Sequence, residues 1–292
     1  MAVPNDIHSV IWPSGPSPME WIKSKPTAMW RETFGKDGYL VVKDLLTKAE
    51  LEIYQDVCTK MIQGDIDTAT HRHDLGNVAE QKQSYIENIC QILWPSMYVR
   101  HLDEGPVHRR VLAIAQCLLG EDIVFDHDMI LAKAPFTDTM TPWHQDEAYW
   151  PDVADKRALM CWTSLDNAVK DNGCMWFGRG SHKGMLRVHT PVKEGCHLLS
   201  CETYESDDMV CVEIPAGSCT FHHARTLHYT CGNTTNQMRR AIVTSYRSAA
   251  MLKEFVRAGH DHGKRFQDTT EHEDEFKKSA ALYDLPHDDV IV

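Results

Sequence analysis

The stretch that decides the fold is Ile123-Val-Phe-Asp-His-Asp-Met-Ile-Leu-Ala-Lys133. In an extended chain its odd-numbered side chains fall on one face and its even-numbered side chains on the other. Residues of the two sets alternate along the whole stretch, and this period of two is typical of a β-strand. We therefore expect a long strand here, and we expect a β-rich core to follow it.

Working outward from this strand, short apolar runs recur as far as residue 250. Turn signals separate them, among them Asp171-Asn-Gly173, Pro215-Ala-Gly217 and Gly232-Asn233. Many short strands with this punctuation indicate a mainly β fold of the sandwich or jelly-roll type, with flanking helices. The further strands are predicted at Thr141–Glu147, Ala158–Leu165, Cys174–Gly178, Met209–Ile214, Ser218–His223 and Arg240–Tyr246.

The preceding sequence is helical in pattern. After a Pro-rich arm over residues 1–18 and a short strand at Gly38–Lys43, Thr47-Lys-Ala-Glu50 has the form of a capping box and begins a helix that runs to about Gln63. Residues 64–82 are polar and predicted to be a loop, and helices are predicted near 83–94 and over 107–119. We expect one domain over residues 1–292. It comprises an N-terminal arm and helices over 1–119, a β core over about 120–250, and a C-terminal helical extension over 251–292, with a charged helical run at 271–278.

Composition excludes several classes of function. The formal net charge of −12 argues against binding to nucleic acid or to an anionic membrane, since both depend on clustered Lys and Arg. None of the ten cysteines forms a C-x-x-C pair, and no run of 18 apolar residues predicts a membrane span. Without a visible leader sequence, reduced thiols indicate a cytoplasmic protein. The oligomeric state is left open.

The first candidate for chemistry is His144-Gln-Asp146. Side chains at i and i+2 of a strand share a face, so an imidazole and a carboxylate can reach one metal ion. A later histidine, His228, would complete a set of two histidines and one carboxylate, which favours Fe(II) and leaves positions open for substrates.

The pattern H-x-D alone is weak evidence, because it also occurs at His101 and at His287 in a chain with 17 histidines. His101 precedes the β-rich region and His287 has no histidine after it, so His144 is preferred. Other histidine groups are interpreted as surface or already satisfied side chains, although His222 lies where it can line the pocket without binding metal. These groups are His71-Arg-His73, His222-His223 and His260-Asp-His262.

Four segments in order resemble the phytanoyl-CoA dioxygenase family. They are Asp37-Gly-Tyr-Leu-Val-Val-Lys-Asp44, Thr141-Pro-Trp-His-Gln-Asp146, Asp171-Asn-Gly-Cys-Met-Trp176 with Gly180-Ser-His182, and Pro215-Ala-Gly217 through His228. The resemblance covers roughly residues 35–250. It implies a double-stranded β-helix (jelly-roll, cupin-like) core, Fe(II), 2-oxoglutarate as cosubstrate, and O2.

The resemblance also carries roles onto individual positions. His144, Asp146 and His228 match the metal ligands. Arg239, eleven residues after His228, matches the arginine that binds the distal carboxylate of 2-oxoglutarate, a task suited to a planar guanidinium that is always charged. The alternative for Arg239 is a surface cation beside Arg240.

Five further residues are predicted to bind or line the cosubstrate. Trp162 and Met129 could equally be core packing, Thr230 a turn residue, and Lys133, which shares strand parity with Met129, a cation that extends to solvent. Gln145 lies between two of the predicted ligands. One departure is Asn88, near which some relatives carry a lysine. The cosubstrate-binding set is Arg239, Trp162, Thr230, Met129, Gln145 and Lys133.

Together these features predict a dioxygenase that hydroxylates a C–H bond of a small-molecule metabolite and releases succinate and CO2. Halogenation is disfavoured because Asp146 is retained. Desaturation, epimerisation and ring closure stay open, as do a metal-binding protein without turnover and a ligand-binding jelly roll without metal. For the substrate, Tyr149 and Trp150 are candidate contacts or core residues, and the possible anchors for an acidic group are Arg225, His222 and Arg247.

Overall fold

A computed structural model of the protein describes residues 8–75, 87–193 and 198–262. Its helices cluster before the β core, and one follows it. The α-helices are α1 (Pro18–Lys23), α2 (Thr27–Asp37), α3 (Lys48–Gln63), α4 (Pro95–Tyr98), α5 (Pro106–Leu119) and α6 (Ala249–Arg257).

The strands are β1 (Tyr39–Val42), β2 (Arg72–Asp74), β3 (Ile89–Leu93), β4 (Ile123–Lys133), β5 (Thr141–His144), β6 (Ala158–Ser164), β7 (Met175–Gly178), β8 (His189–Pro191), β9 (Leu199–Cys201), β10 (Met209–Val212), β11 (Cys219–His223), β12 (His228–Thr230) and β13 (Arg239–Ser248). They form a seven-stranded and a four-stranded antiparallel sheet, with a separate hairpin of β8 and β9. In the large sheet the order is β1-β11-β6-β13-β4-β3-β2, and in the small sheet it is β10-β7-β12-β5.

Helix α3 begins as its sequence predicts. The Thr47 hydroxyl accepts a hydrogen bond from the Glu50 backbone N–H, and the Glu50 carboxylate accepts one from the Thr47 N–H, which completes the capping box. Glu50 also pairs with the buried Arg110 of α5 at 2.7 Å. The capping residue thereby ties α3 to α5 and fixes the helical layer that covers the outer face of the large sheet.

The large sheet carries a different core on each face. Its outer face packs against the helices through side chains such as Ile130, Ile242 and Tyr246. Its inner face meets the small sheet, where the rings of Tyr39 and Phe177 stack at 4.7 Å. Because strand side chains alternate, this arrangement buries both sides of β13.

A β-bulge interrupts the pairing of β4 with β13. Ser245 pairs with His127 and Tyr246 pairs with Phe125, so Asp126 is an extra residue without a partner on β13. Bulges re-aim side chains and commonly lie beside functional sites. Here Phe125 packs with the helices, whereas the His127 ring lies on the other face, beside Trp94 and His262.

Three predicted segments differ from the structure. The helix expected near 83–94 is wrong where the structure describes it: Ile89–Leu93 is a strand that pairs with β4, and residues 83–86 lie outside the described residues. Within the predicted loop at 64–82, Arg72–Asp74 forms a strand on β3. The strand predicted at Thr141–Glu147 ends at His144 and is followed by a 3-10 segment at Asp146–Tyr149.

The chain ends are partly described. The N-terminal arm is irregular, as predicted, but it packs on the body: Val10 is buried and the Trp12 indole N–H donates to the His101 carbonyl. The C-terminal run at 271–278 lies outside the described residues. Nine cysteines within the described ranges are free thiols. None of the helices that the structure describes is both long enough and apolar enough to cross a membrane.

Candidate metal centre

Two strands of the small sheet bring together the predicted ligands. His144 is the last residue of β5 and His228 is the first residue of β12, and the two are direct partners across the strand pair. Their ring centroids lie 4.0 Å apart. Asp146 follows in the 3-10 segment, so the turn after β5, and not a shared strand face, brings its carboxylate to the two rings.

The three side chains converge on one point. Asp146 Oδ1 lies 3.6 Å from His144 Nε2 and 3.5 Å from His228 Nε2. Each ring donates its Nδ1 hydrogen to a backbone carbonyl, of Pro142 at 2.7 Å and of Thr226 at 3.0 Å. These bonds fix the tautomer and leave both Nε2 lone pairs free to bind a metal.

The protonation states suit a metal site. Burial alone would raise the pKa of Asp146, but the neighbouring imidazoles of His228, His144 and His222 hold it well below its ordinary value. Burial, with the neighbouring His144, lowers the pKa of His228 well below its ordinary value. A carboxylate and a neutral imidazole are the forms that bind metal.

His222 holds the carboxylate from the other sheet. It lies on β11 of the large sheet, and its Nε2 is 3.1 Å from Asp146 Oδ2. The remaining oxygen, Oδ1, faces His144 and His228. His222 therefore orients a ligand without being one of the three converging groups.

The Gln145 side chain is held by hydrogen bonds to two neighbouring segments. Its amide donates to the Arg225 carbonyl at 2.7 Å and accepts from the Arg187 backbone N–H at 2.8 Å, and its own N–H donates to His189 Nε2. The side chain is 1% exposed. These contacts join β5 to two neighbouring segments, which is a positioning role between the ligands.

A second polar group lies deeper between the sheets. Arg239 begins β13 directly opposite Lys133 of β4. Arg239 is 2% exposed, its guanidinium lies 5.1 Å from the Trp162 ring, and burial lowers its pKa to about 10. Its Nε and Nη1 have no hydrogen-bond partner in residues 8–75, 87–193 and 198–262.

Lys133 is also buried, and it is hydrogen-bonded. Its Nζ donates to the carbonyls of Thr139, Thr230 and Cys231, so it does not extend to solvent. Burial, and then the charge of Arg239, lowers its pKa to about 6. The Thr230 hydroxyl lies in the same region and is buried without a partner among the described residues.

Trp162 and Met129 share one row across the large sheet. Val243 of β13 pairs with both, and both pack in the core between the sheets. Their placement agrees with cosubstrate lining and with core packing. Asn88, where some relatives carry a lysine, accepts a hydrogen bond from Thr137 at 3.2 Å.

Three of the other histidines and arginines singled out in the sequence have partners outside the metal centre. His101 pairs with the exposed Glu104, His71 bonds Tyr98, and Arg225 is paired with Glu147 at 2.6 Å. One group was not recognised as a unit in the sequence. Asp126, His127 and His262 converge beside Arg247. The bulge at Asp126 contributes to this convergence, and no local sequence pattern predicts a bulge there.

The donor groups fit iron and a dicarboxylate. Two imidazole nitrogens with one carboxylate oxygen are the facial set used by non-haem Fe(II) oxygenases. Within the part of the chain that the structure describes, the Arg239 guanidinium and the Thr230 hydroxyl keep buried groups without a partner, and the oxygens of 2-oxoglutarate can serve as their acceptors.

Comparison with known proteins agrees with this geometry. Residues 34–241 match the family model for phytanoyl-CoA dioxygenase (PhyH). Human peroxisomal phytanoyl-CoA dioxygenase is 24% identical over 229 residues, covering 75% of this chain and 68% of that protein. A probable alpha-ketoglutarate-dependent hypophosphite dioxygenase of Stutzerimonas stutzeri is 32% identical over 161 residues, covering 53% of this chain and 56% of that protein.

A solved structure shares the fold. EvdO2 from Micromonospora carbonacea var. aurantiaca, complexed with 2-oxoglutarate, superposes with a TM-score of 0.62 at 25% identity over 76% of this chain and 90% of that one. The predicted jelly-roll core and the cofactor set of Fe(II), 2-oxoglutarate and O2 are thereby confirmed. The chain belongs to the phytanoyl-CoA dioxygenase family and is an Fe(II)- and 2-oxoglutarate-dependent oxygenase.

Proposed function

We propose that the protein hydroxylates a C–H bond of a small-molecule metabolite, converting 2-oxoglutarate and O2 to succinate and CO2. The observation that carries the proposal is the pairing of two features in one interior. Two histidines of the small sheet converge with the aspartate that follows β5, and a buried arginine on the large sheet has donors without a partner among the described residues. Retention of Asp146 as a potential ligand disfavours halogenation.

Each residue has a defined role in this proposal. His144, Asp146 and His228 hold Fe(II), and His222 orients the Asp146 carboxylate through its 3.1 Å contact. Arg239 binds the distal carboxylate of the cosubstrate. Bound iron, 2-oxoglutarate and O2 together supply the oxidising power for cleaving an unactivated C–H bond.

Four other residues complete the cosubstrate site. Trp162 supports the Arg239 guanidinium, Thr230 donates its free hydroxyl, and Met129 closes the apolar wall. Lys133 lines the site opposite Arg239, and its Nζ donates to the Thr230 carbonyl. Burial of all these groups excludes water, which strengthens each electrostatic contact with the bound anion.

The decisive experiment is succinate release across a metabolite library, with Asp146→Ala as the blank. The relatives are named for substrates as different as phytanoyl-CoA, hypophosphite and ectoine. The library should therefore contain acyl-CoA esters, small oxyanions and cyclic amino acids. The expected result is stimulated succinate release in the wild type alone, and failure to bind Fe(II) together with no release would refute the proposal.

Product mass distinguishes the outcomes. Hydroxylation adds one oxygen atom, desaturation removes two hydrogen atoms, and epimerisation leaves the mass unchanged. A protein that binds Fe(II) but forms no succinate, either with any library compound or without substrate, would be a metal-binding protein without turnover.

We also propose that residues 1–292 act as one oxygenase domain located in the cytoplasm. The family match over 34–241 and the free thiols within the described ranges support this. Cell fractionation tests the location, and limited proteolysis with mass spectrometry tests whether stable fragments separate from the β core.

A further inference from the structure

A row of side chains connects the metal centre to the far end of the large sheet. Reading across neighbouring strands, His222 pairs with Met160, Met160 with Ser245, and Ser245 with His127. Arg247 follows two residues after Ser245, on the same inner side of β13. It lies at the opposite end of the strand from Arg239, eight residues away, which is roughly 26 Å of extended chain.

Arg247 is held firmly in this position. Its side chain is 0% exposed, and Nε donates to Asp126 Oδ2 at 2.5 Å. The guanidinium lies 3.7 Å from the Trp150 ring and 4.6 Å from the Phe255 ring. Trp150 directly follows the 3-10 segment that begins with Asp146, so Arg247 lies next to the turn that presents the metal-binding carboxylate.

The surrounding group does not favour a second metal ion. Asp126, His127 and His262 have converging donor atoms, as the first triad does. Here, however, Asp126 Oδ2 already accepts from Arg247 Nε and lies 3.0 Å from a nitrogen of each histidine. A divalent cation would lie against a guanidinium that is always charged, which is repulsive.

Two hydrogen-bond donors beside this cluster make no hydrogen bond to the described residues. Arg247 Nη1 and the Ser245 hydroxyl are buried without a hydrogen-bond partner in the described part of the chain. Leaving a charged N–H unsatisfied in an interior is costly, so an acceptor is expected there. The strongest acceptor for a guanidinium is an oxyanion.

We propose that Arg247 and Ser245 bind an oxyanion of the prime substrate, a carboxylate or a phosphonate-type group, on the side of the metal opposite to 2-oxoglutarate. The inference rests on the proposed function, and it ranks Arg247 above Arg225 and His222 as the acidic anchor. Arg225 donates from two nitrogens to Glu147, and Nε2 of His222 is taken by Asp146. Neither residue offers a guanidinium donor that is buried without a partner among the described residues, as Arg247 does.

The test uses small oxyanions as probes of the wild type loaded with Fe(II) and 2-oxoglutarate without oxygen. Acetate, methylphosphonate and inorganic phosphate are titrated, with acetamide as the neutral match for acetate. Two readouts are followed: the thermal midpoint and the visible absorption band that Fe(II) and 2-oxoglutarate give together. At least one oxyanion should raise the midpoint and perturb the band, and acetamide should do so at least tenfold more weakly. The responding probe identifies whether a carboxylate or a phosphorus oxyanion is preferred.

Three variants locate the binding. Arg247→Lys keeps the charge beside Asp126 but removes Nη1, and Ser245→Ala removes only the free hydroxyl. Each should weaken oxyanion binding roughly 10- to 100-fold. Arg240→Lys is the matched control, because Arg240 lies on the same strand but on its opposite side, where it pairs with Asp166. This variant should leave oxyanion binding unchanged.

The outcomes separate the two proposals. Should Arg247→Lys misfold, the double variant Asp126→Asn with Arg247→Gln removes both charges of the pair and serves instead. An intact band with no response to any oxyanion, or an equal response in the variants, overturns the inference and leaves the proposed function standing. Absence of the band in the wild type overturns both.

Discussion

Arg239 should have opposite effects on cosubstrate binding and on the stability of the free protein. It is 2% exposed, and two of its nitrogens have no partner within the described ranges. Arg239→Gln removes the charge and shortens the side chain. The substitution should weaken 2-oxoglutarate binding while making the cosubstrate-free protein more stable.

The size of the binding effect follows from the two free donors. A hydrogen bond between charged groups contributes about 1.5–3 kcal/mol, so two contribute about 3–6 kcal/mol. At about 1.4 kcal/mol for each factor of ten, the dissociation constant for 2-oxoglutarate should rise by roughly 10²- to 10⁴-fold. Titration of the anaerobic Fe(II) protein with 2-oxoglutarate measures this directly.

The stability effect has the opposite sign because the charge is buried and unpaired. Removing an uncompensated buried charge should raise the free energy of unfolding by at least about 1 kcal/mol. For a domain of this size that corresponds to a thermal midpoint higher by about 2–4 °C. Thermal unfolding without cosubstrate measures it.

Arg240→Gln is the matched control. Arg240 pairs with Asp166 at 2.7 Å and bonds Thr59, on the opposite side of the same strand. Its loss should lower the midpoint and leave 2-oxoglutarate affinity unchanged. Unaltered affinity in Arg239→Gln, or equal losses of affinity in the two variants, would refute the assignment of Arg239.

Three further predictions concern the residues around the centre. Lys133 has a folded pKa of about 6, below its ordinary value of 10.5, so the unfolded chain binds one more proton between these values and stability should rise with pH there. Lys133→Met should reduce that slope by up to about 1.4 kcal/mol per pH unit in denaturant unfolding at several pH values, and an unchanged slope would contradict the shift. His222→Asn should weaken Fe(II) binding by about 10- to 100-fold in a chelator competition, whereas His223→Asn, on the other face of β11, should not. Gln145→Ala should cost about 2 kcal/mol of stability through its two buried amide bonds and leave KM for 2-oxoglutarate unchanged, while a raised KM would indicate direct contact.

Local patterns predict where elements lie, although the bulge at Asp126 puts Phe125 and His127 on opposite faces, against the uninterrupted alternation expected from the sequence. The strand at Ile123–Lys133 and the capping box at Thr47 follow from local chemistry, and both are present in the structure. The strand at Ile89–Leu93 was mistaken for a helix because a short apolar run buried on both sides has no diagnostic period. Its assignment depends on pairing with β4, which is a long-range contact.

The sequence predicts which residues form the candidate site better than it predicts their geometry. His144, Asp146 and His228 converge as expected, but they are brought together differently: strand pairing joins the histidines, and a 3-10 turn supplies the carboxylate. The position of Gln145 in that turn could not be read from an assumed strand. The contact of His222 with Asp146 crosses between the two sheets, so no sequence interval encodes it.

The bulge at Asp126 has an evolutionary consequence. Because Asp126 is the unpaired extra residue of β4, its deletion would let Phe125 and His127 keep their present partners and faces. The loss of one codon would remove the counter-ion of Arg247 and leave the strand's alternation on both sides intact. A single insertion or deletion can therefore change the charge at one end of the β core without shifting the pairing of Arg239 with Lys133 at the other end.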